Sequence, residues 1–305
     1  MRRHNFLGVF LLVALFSANC LAAETYKIGV LAKNGPVKAL KMWKATADYL
    51  SSAIEGKTFE IVPLDFDQVN PAIQKEKVDF FLVNSSMFVT AKVNYGAIEI
   101  ATMVNSRQGQ PLKSFGGVII ASSDNDAVNS LEDLKGKTFM AVKESSFGGW
   151  QMAYKEILDL GIDPLKDFAK LEFGGKHENV VLAVQNGAVA AGTIRTDTLE
   201  RMAAEGLIDM DEFRVLGKKD HKEFPFVCST PLYPEWPLAK ITKTPDDVAR
   251  KVVEALKSLK PDQEAAKDAK IVGWVDPLDY GPVEALQRTL KIGAFEGKID
   301  VAEAK

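Results

Sequence analysis

From Tyr26 onward, short apolar runs alternate with segments whose apolar residues recur at helical spacing. YKIGVLA (26–32) predicts a strand, and an NGP turn at 34–36 leads into VKALKMWKATADYLSSAI, where Leu40, Trp43, Ala47 and Leu50 mark one helix face. FEIVPL (59–64) and VDFFLVN (78–84) predict two more strands, the second apolar enough to be buried on both faces. SSMFVTAKVNYG (85–96) predicts a helix that starts on serines and stops at Gly96, and IEIATMV (98–104) and FGGVIIASS (115–123) flank a polar loop. A second series runs from SLEDLKGKTFMAV through a helix after KESSFGGW, then AKLEF, ENVVLAVQNG, VAAG and TDTLERMAAEG. Strands that alternate with helices of about ten to fifteen residues predict an α/β protein, each lobe a mainly parallel sheet with helices on both faces.

After FRVLG the pattern breaks into HKEFPFVCSTPLYPEWPLAK, dense in proline and aromatics, before two helical segments, DDVARKVVEALKSL and VEALQRTLKIG. The predicted layout is two lobes: 24–118 with 226–305 form lobe 1, and 119–225 form lobe 2.

The first residues follow another logic. MRRHN is basic, FLGVFLLVALFS is an apolar run of twelve, and ANCLAAE offers small residues before an acidic one. This is the layout of a secretory signal peptide over 1–23, cut after Ala22 or Ala23. Twelve apolar residues are too few for a bilayer span, which needs about 20. Cys20 leaves a lipoprotein as the alternative, with Asn19 a poor neighbour for that processing. Cleavage removes Cys20, so Cys228 is the one remaining thiol and no internal disulfide is expected.

Composition adds limits rather than identity. The 305 residues are 47% hydrophobic and 26% charged, ordinary for a globular protein. The net charge of −3 becomes more negative once Arg2 and Arg3 leave, and no basic cluster argues for nucleic acid or an anionic membrane. KGKT at 135–138 fails as a phosphate-binding loop because Leu131 stands where the first glycine is required. His177-Glu178 lacks the second histidine of a zinc-protease helix. Neither a catalytic centre, nor a metal site, nor a cofactor is predicted.

The stretch KESSFGGWQM (143–152) weakens the start of an amphipathic helix, whose apolar positions are Trp150, Ala153, Tyr154, Ile157 and Leu158. Each of Gly148 and Gly149 costs up to about 1 kcal/mol relative to alanine inside a helix. Two readings stand: a serine N-cap with glycines kept for tight packing, or a bare helix start that holds an anion. VNSSMF places Asn84, Ser85 and Ser86 at a second strand-to-helix junction, and AAGTIRTDT places Thr193, Arg195 and Thr196 at a third. Such junctions lie at strand carboxyl edges, where ligands bind. Arg195 is a candidate bidentate contact for an oxyanion, and Lys33 and Arg107 are candidates on the same logic.

SLEDLKGKTFMAV followed by a Ser/Gly-rich helix start resembles the second lobe of type 2 periplasmic binding proteins of the phosphonate-binding group. YKIGVLA, ADYL, FEIVPLDFDQVN, SSFGGWQMA, GTIRTDTLERMAAEGLIDMDEF, STPLYPEWPLAK and GWVDPLDYGPV resemble the periplasmic sensing domain of tetrathionate-sensor histidine kinases. The resemblance implies a two-lobed clamshell that closes on a small sulfur or phosphorus oxyanion without breaking a bond. It implies a monomer in the periplasm, serving an ABC permease or a membrane histidine kinase. Carried over, Ser145, Ser146, Phe147, Gly148 and Gly149 hold the oxyanion and 84–86 face it. The serines at 85 and 86 depart from the Pro-Gly expected in sensor relatives. The chain reaches Lys305 without a transmembrane helix or kinase, so a free binding protein is expected. Cys228 stands where a histidine is expected. Either it is a small buried residue, or it faces the cleft as a thiol for arsenite or a polythionate, or for thiol-dependent catalysis.

Overall fold

The structure, a computed structural model, describes residues 23–297. The signal segment lies outside the described residues. Two sheets carry the architecture. The first has the order Ile271–Val275, Ile98–Arg107, Pro237–Lys240, Phe80–Leu82, Glu24–Leu31, Lys57–Leu64, with Gln110–Leu112 paired to Ile98–Arg107 as a hairpin. The second has the order Phe213–Leu216, Gly117–Ser122, Ala191–Arg195, Thr138–Ala141, Lys170–Phe173. The chain leaves the first sheet after Leu112 and re-enters it at Pro237. The two crossing segments pair with each other, Phe115 opposite Tyr233 and Ser114 opposite Pro234.

Both sheets are mixed rather than mainly parallel, which corrects the sequence expectation. Glu24–Leu31 runs parallel to Lys57–Leu64 and to Phe80–Leu82, as helical crossovers require. Pro237–Lys240 arrives from the other lobe and inserts antiparallel between Phe80–Leu82 and Ile98–Arg107. Gly117–Ser122, the first strand of the second lobe, is likewise antiparallel to both its neighbours. A strand that enters from across the cleft comes in from the end where the local strands finish, so it must run against them.

Most predicted elements appear where the periodicity puts them. Phe80, Phe81 and Leu82 are fully enclosed, as a strand covered on both faces demands. The helix Pro36–Ala53 buries Ala39, Trp43, Thr46, Ala47 and Leu50. Leu40 stays largely exposed, so the buried face is rotated by one position from the predicted one. The helix Ser85–Tyr95 ends at Gly96 with φ 69°, a left-handed C-cap that needs no Cβ. Phe139, Trp150, Ile157 and Leu134 belong to the main apolar cluster, and Val118, Ile120, Val180, Val184 and Ile194 form a second one in the second lobe.

KESSFGGWQM folds in an unusual way. Phe147–Gln151 is a turn of π-helix, opened by the Gln151 amide donating to the Ser146 carbonyl at 3.2 Å, and it continues as the α-helix Met152–Asp159. The wide turn leaves the amides ahead of it without intrahelical partners.

Candidate functional site

Five helix starts come together between the lobes: Pro36–Ala53, Ser85–Tyr95, Phe147–Gln151 with its α-helical extension, His177–Gln185 and Thr198–Ala204. Residues at or beside each start line two adjoining cavities. The smaller, about 20 Å³, is walled by Asn84, Ser146, Phe147, Gly148, Phe66 and Phe115 together with Lys33, His177, Arg195 and Trp236. The larger, about 340 Å³, shares Leu31, Lys33, His177, Arg195 and Trp236 and adds Trp43, Met103, Arg107, Glu178, Asp197 and Arg201 among others. That volume lies in the usual range of ligand pockets, about 300–1,000 Å³. Helix starts carry partial positive charge, so five of them at one place favour an anion.

The fixed charges agree. Arg195 is buried, its guanidinium 4.2 Å over the Phe115 ring, and it forms an ion pair with the fully buried Glu235. Asp197 bridges two arginines, 3.4 Å from Arg195 Nε and 3.5 Å from Arg107 Nε. Asp197 does this from a left-handed conformation, φ 71°, which aspartate tolerates better than most residues. Lys33 sits 5.3 Å from the Trp236 ring centroid, and no carboxylate is within ion-pair distance of it among the described residues. Enclosure in the cleft wall, then the guanidiniums of Arg107 and Arg195, pushes the Lys33 ammonium down to about 7. Lys33, Arg107 and Arg195 thus share one place with two carboxylates, Asp197 and Glu235.

His177 is fixed differently. Its Nδ1 accepts the Arg195 backbone N–H at 3.1 Å, which puts the ring proton on Nε2. Burial first, then Lys33 and Arg195, holds its basicity well below the usual histidine value, so it stays a neutral donor. Asn84 divides its amide between lobes: Oδ1 accepts the Met87 N–H at 2.9 Å and caps its own helix, while Nδ2 donates to the Ser145 carbonyl of the other lobe at 3.1 Å.

The sequence candidates therefore separate into two groups. Lys33, Asn84, Arg107, Ser146, Phe147, Gly148 and Arg195 line the cavities. Ser145 contributes its carbonyl to Asn84 rather than a hydroxyl to the cleft. A Cβ on Gly149 would meet Val142 Cγ2 at 2.5 Å and Ser146 Oγ at 2.8 Å, so this glycine lets the π turn press onto the strand below. At Gly148 a Cβ would meet the Phe115 ring at 2.9 Å and Arg195 Cβ at 3.4 Å, beside the smaller cavity. Close packing thus accounts for both glycines, and Gly148 also borders the smaller cavity.

Besides Ser145 and Gly149, four more candidates lie away from the cavity walls. Ser85 Oγ donates to the Pro234 carbonyl at 2.6 Å, and Ser86 Oγ accepts from Gln287 at 2.7 Å, so both hold the lobe interior. Thr193 is enclosed in the middle of its strand. Cys228 is fully buried, its Sγ donating to the Thr230 carbonyl at 3.2 Å, and burial pushes its thiol up. That placement favours the small buried residue of the two readings.

His177, Asp197, Glu235 and Trp236 were not anticipated as site residues. GGKHEN, with two glycines ahead of a helix start, repeats the logic of SSFGGW and is the signal that leads to His177. Glu235 and Trp236 carry no such signal, because only the pairing of the crossing segments brings them to the cleft. Among the described residues no cluster of three or more His, Cys, Asp or Glu is arranged to hold a metal ion. Among them, too, no helix is long and apolar enough to cross a membrane.

Comparison with known proteins gives a consistent picture. The tetrathionate sensor histidine kinase TtrS of Salmonella typhimurium is 31% identical over 269 residues, 88% of this chain, and the chain spans 44% of the length of that curated relative. PhnD1 from Prochlorococcus marinus (MIT 9301), solved in complex with methylphosphonate, has the same fold with a TM-score of 0.69 at 16% identity, over 88% of this chain and 99% of that one. A binding-protein component of an ABC phosphonate transporter from Pseudomonas aeruginosa superposes at a TM-score of 0.69 and 19% identity, over 92% of each chain. This is the two-lobed clamshell of type 2 periplasmic binding proteins. A family model described as "ABC transporter, phosphonate, periplasmic substrate-binding protein" matches residues 28–280, and the chain belongs to that family.

Proposed function

We propose that this protein is a periplasmic solute-binding protein that captures a sulfur or phosphorus oxyanion between its lobes and hands it to an ABC permease or presents it to a membrane sensor kinase. The observation that carries the reading is the convergence of Lys33 and Arg107 from one lobe and Arg195 from the other on a cleft ringed by helix starts. Function is then lobe closure: a ligand that touches both lobes favours the closed state by its differential contacts. The phosphonate description of the family and the tetrathionate named for the curated relative supply the first compounds to try.

Thermal unfolding and calorimetry with sulfate, thiosulfate, tetrathionate, phosphate, phosphite and methylphosphonate test the reading. A ligand present at about one hundred times its Kd stabilises the folded protein by about 2.7 kcal/mol, a shift of several degrees in Tm. An array of oxyanions that all leave Tm and heat unchanged refutes it. Co-purification with a permease against co-purification with a kinase then decides the partner.

A further inference from the structure

We propose that the lobes are held together by a seam of protein-to-protein contacts that ends in a latch at the far lip of the cleft, Lys143 of one lobe seated on Phe66 and Asp67 of the other. The inference goes beyond the oxyanion reading and holds whatever the cleft takes up.

Strand order lays out the seam. From Pro237–Lys240, which enters from the chain crossing, the first sheet runs through Phe80–Leu82 and Glu24–Leu31 to Lys57–Leu64 at its edge. From Gly117–Ser122, the second sheet runs through Ala191–Arg195 to Thr138–Ala141. The contacts between lobes keep this order. Nearest the crossing, Arg195 pairs with Glu235 and Asp197 with Arg107. Farther out, beyond Phe80–Leu82 and Thr138–Ala141, Asn84 Nδ2 donates to the Ser145 carbonyl. Outermost, past the end of the edge strand, Lys143 Nζ lies 3.6 Å from the Asp67 carboxylate and 5.4 Å from the Phe66 ring centroid. Bending at the crossing moves the outermost contact farthest, so this one parts first when the lobes open.

Each side of the latch is set by its own lobe. Asp65 Oδ1 accepts the amides of Asp67 and Gln68, both at 3.2 Å, and Gln68 Oε1 accepts the Asp65 amide at 3.1 Å. Across the cleft, the Lys143 carbonyl accepts the Ser146 amide at 3.0 Å, and Gln151 Nε2 donates to the Glu144 carbonyl at 2.9 Å. Two fixed lips therefore meet through one long, flexible side chain. Phe66 walls the smaller cavity, whereas Lys143 lines neither cavity. The latch thus covers the cavity from outside, and exchange of its contents at this end requires Lys143 to let go.

The strength suits a latch that must release. The ion pair with Asp67 is exposed and weak alone, and the cation over the Phe66 ring adds to it. Together they favour the closed lobes by about threefold to tenfold.

Single-molecule energy transfer between dyes on Glu55→Cys and Leu207→Cys reads the lobe angle, because these exposed positions lie in different lobes and Cys228 is buried. The protein is unfolded, dialysed and refolded beforehand to remove any carried-over solute, and none is added. The labelled protein is expected to be mainly closed. Lys143→Met is expected to raise the open-to-closed ratio about threefold to tenfold, and Phe66→Leu, which removes the ring from the other side, to raise it in the same direction. Lys143→Arg keeps a cation over the ring and is expected to leave the ratio within about twofold of the unmodified value. Far-UV circular dichroism and Tm check that each variant folds. A mainly open labelled protein overturns the inference, as does an unchanged ratio in folded Lys143→Met. A shift in Lys143→Arg as large as that in Lys143→Met overturns it as well.

Discussion

Lys33 offers the sharpest test, because its protonation is tied to the ligand. The cleft holds its ammonium at about 7, so about one amine in eleven is charged at about pH 8. An anion about 4 Å away, at an effective dielectric constant of about 20, attracts the ammonium by about 4 kcal/mol. That is enough to return Lys33 to about 10, close to its ordinary value. Between about pH 8 and about pH 9, binding therefore takes up almost one proton per ligand, and affinity falls by up to about tenfold per pH unit. Sulfate or a sulfonate is the probe of choice, since neither titrates in this window. Calorimetry at about pH 8 in two buffers of different ionisation enthalpy counts the protons; Lys33→Met removes both the uptake and the pH slope. Zero proton uptake in the unmodified protein, with affinity flat from about pH 7 to about pH 9, refutes the reasoning. The stability of the protein alone has a matching sign. The folded value lies below the unfolded one of about 10.4, so Lys33's contribution to stability grows as pH rises through that window, by at most about 1.4 kcal/mol per unit.

Other expectations follow from the same geometry. Glu235→Ala removes the buried carboxylate from Arg195 and leaves Asp197, 3.4 Å from Nε, as its remaining partner; urea titration is expected to show a loss of about 3 kcal/mol. Gly149→Ala drives a methyl into Val142 and is expected to cost about 1–3 kcal/mol, measured by chemical denaturation; an unchanged midpoint counts against the close packing of the π turn. Cys228 is expected to resist a thiol reagent until the protein unfolds, and Cys228→Ser to leave ligand affinity unchanged in calorimetry. Acidification is expected to destabilise the protein below about pH 6.5, where the unfolded chain protonates His177 and the folded one does not; His177→Asn flattens that limb of a Tm-against-pH curve.

Local pattern carried much of this fold. Strands such as Glu24–Leu31 and Lys57–Leu64, and helices such as Pro36–Ala53, follow from periodicity because each buries its own repeat. Pro237–Lys240 and Ile271–Val275 do not, because they are four and five residues long and the first begins on a proline. Their strand character comes from the neighbours that accept them. The cleft divides the same way. Gly148 and Arg195 were legible because helix starts have a local signature, whereas Glu235 and Trp236 reach the cleft through a chain crossing more than one hundred residues from its partner strand. Cys228 shows the opposite limit: residue type identifies a thiol but does not tell that its Sγ turns into the interior.

The two segments that cross between the lobes are hydrogen-bonded to each other as a short antiparallel ribbon, Ser114–Phe115 with Tyr233–Pro234. Two independent tethers would let the lobes twist, slide and bend. A stitched ribbon resists the first two and leaves bending as the soft coordinate. Phe115, on this ribbon, also walls the smaller cavity and lies under Arg195. Under the proposed function, an occupant of the cleft would press on the hinge itself, and a permease or kinase would read a single angle set by the molecule held.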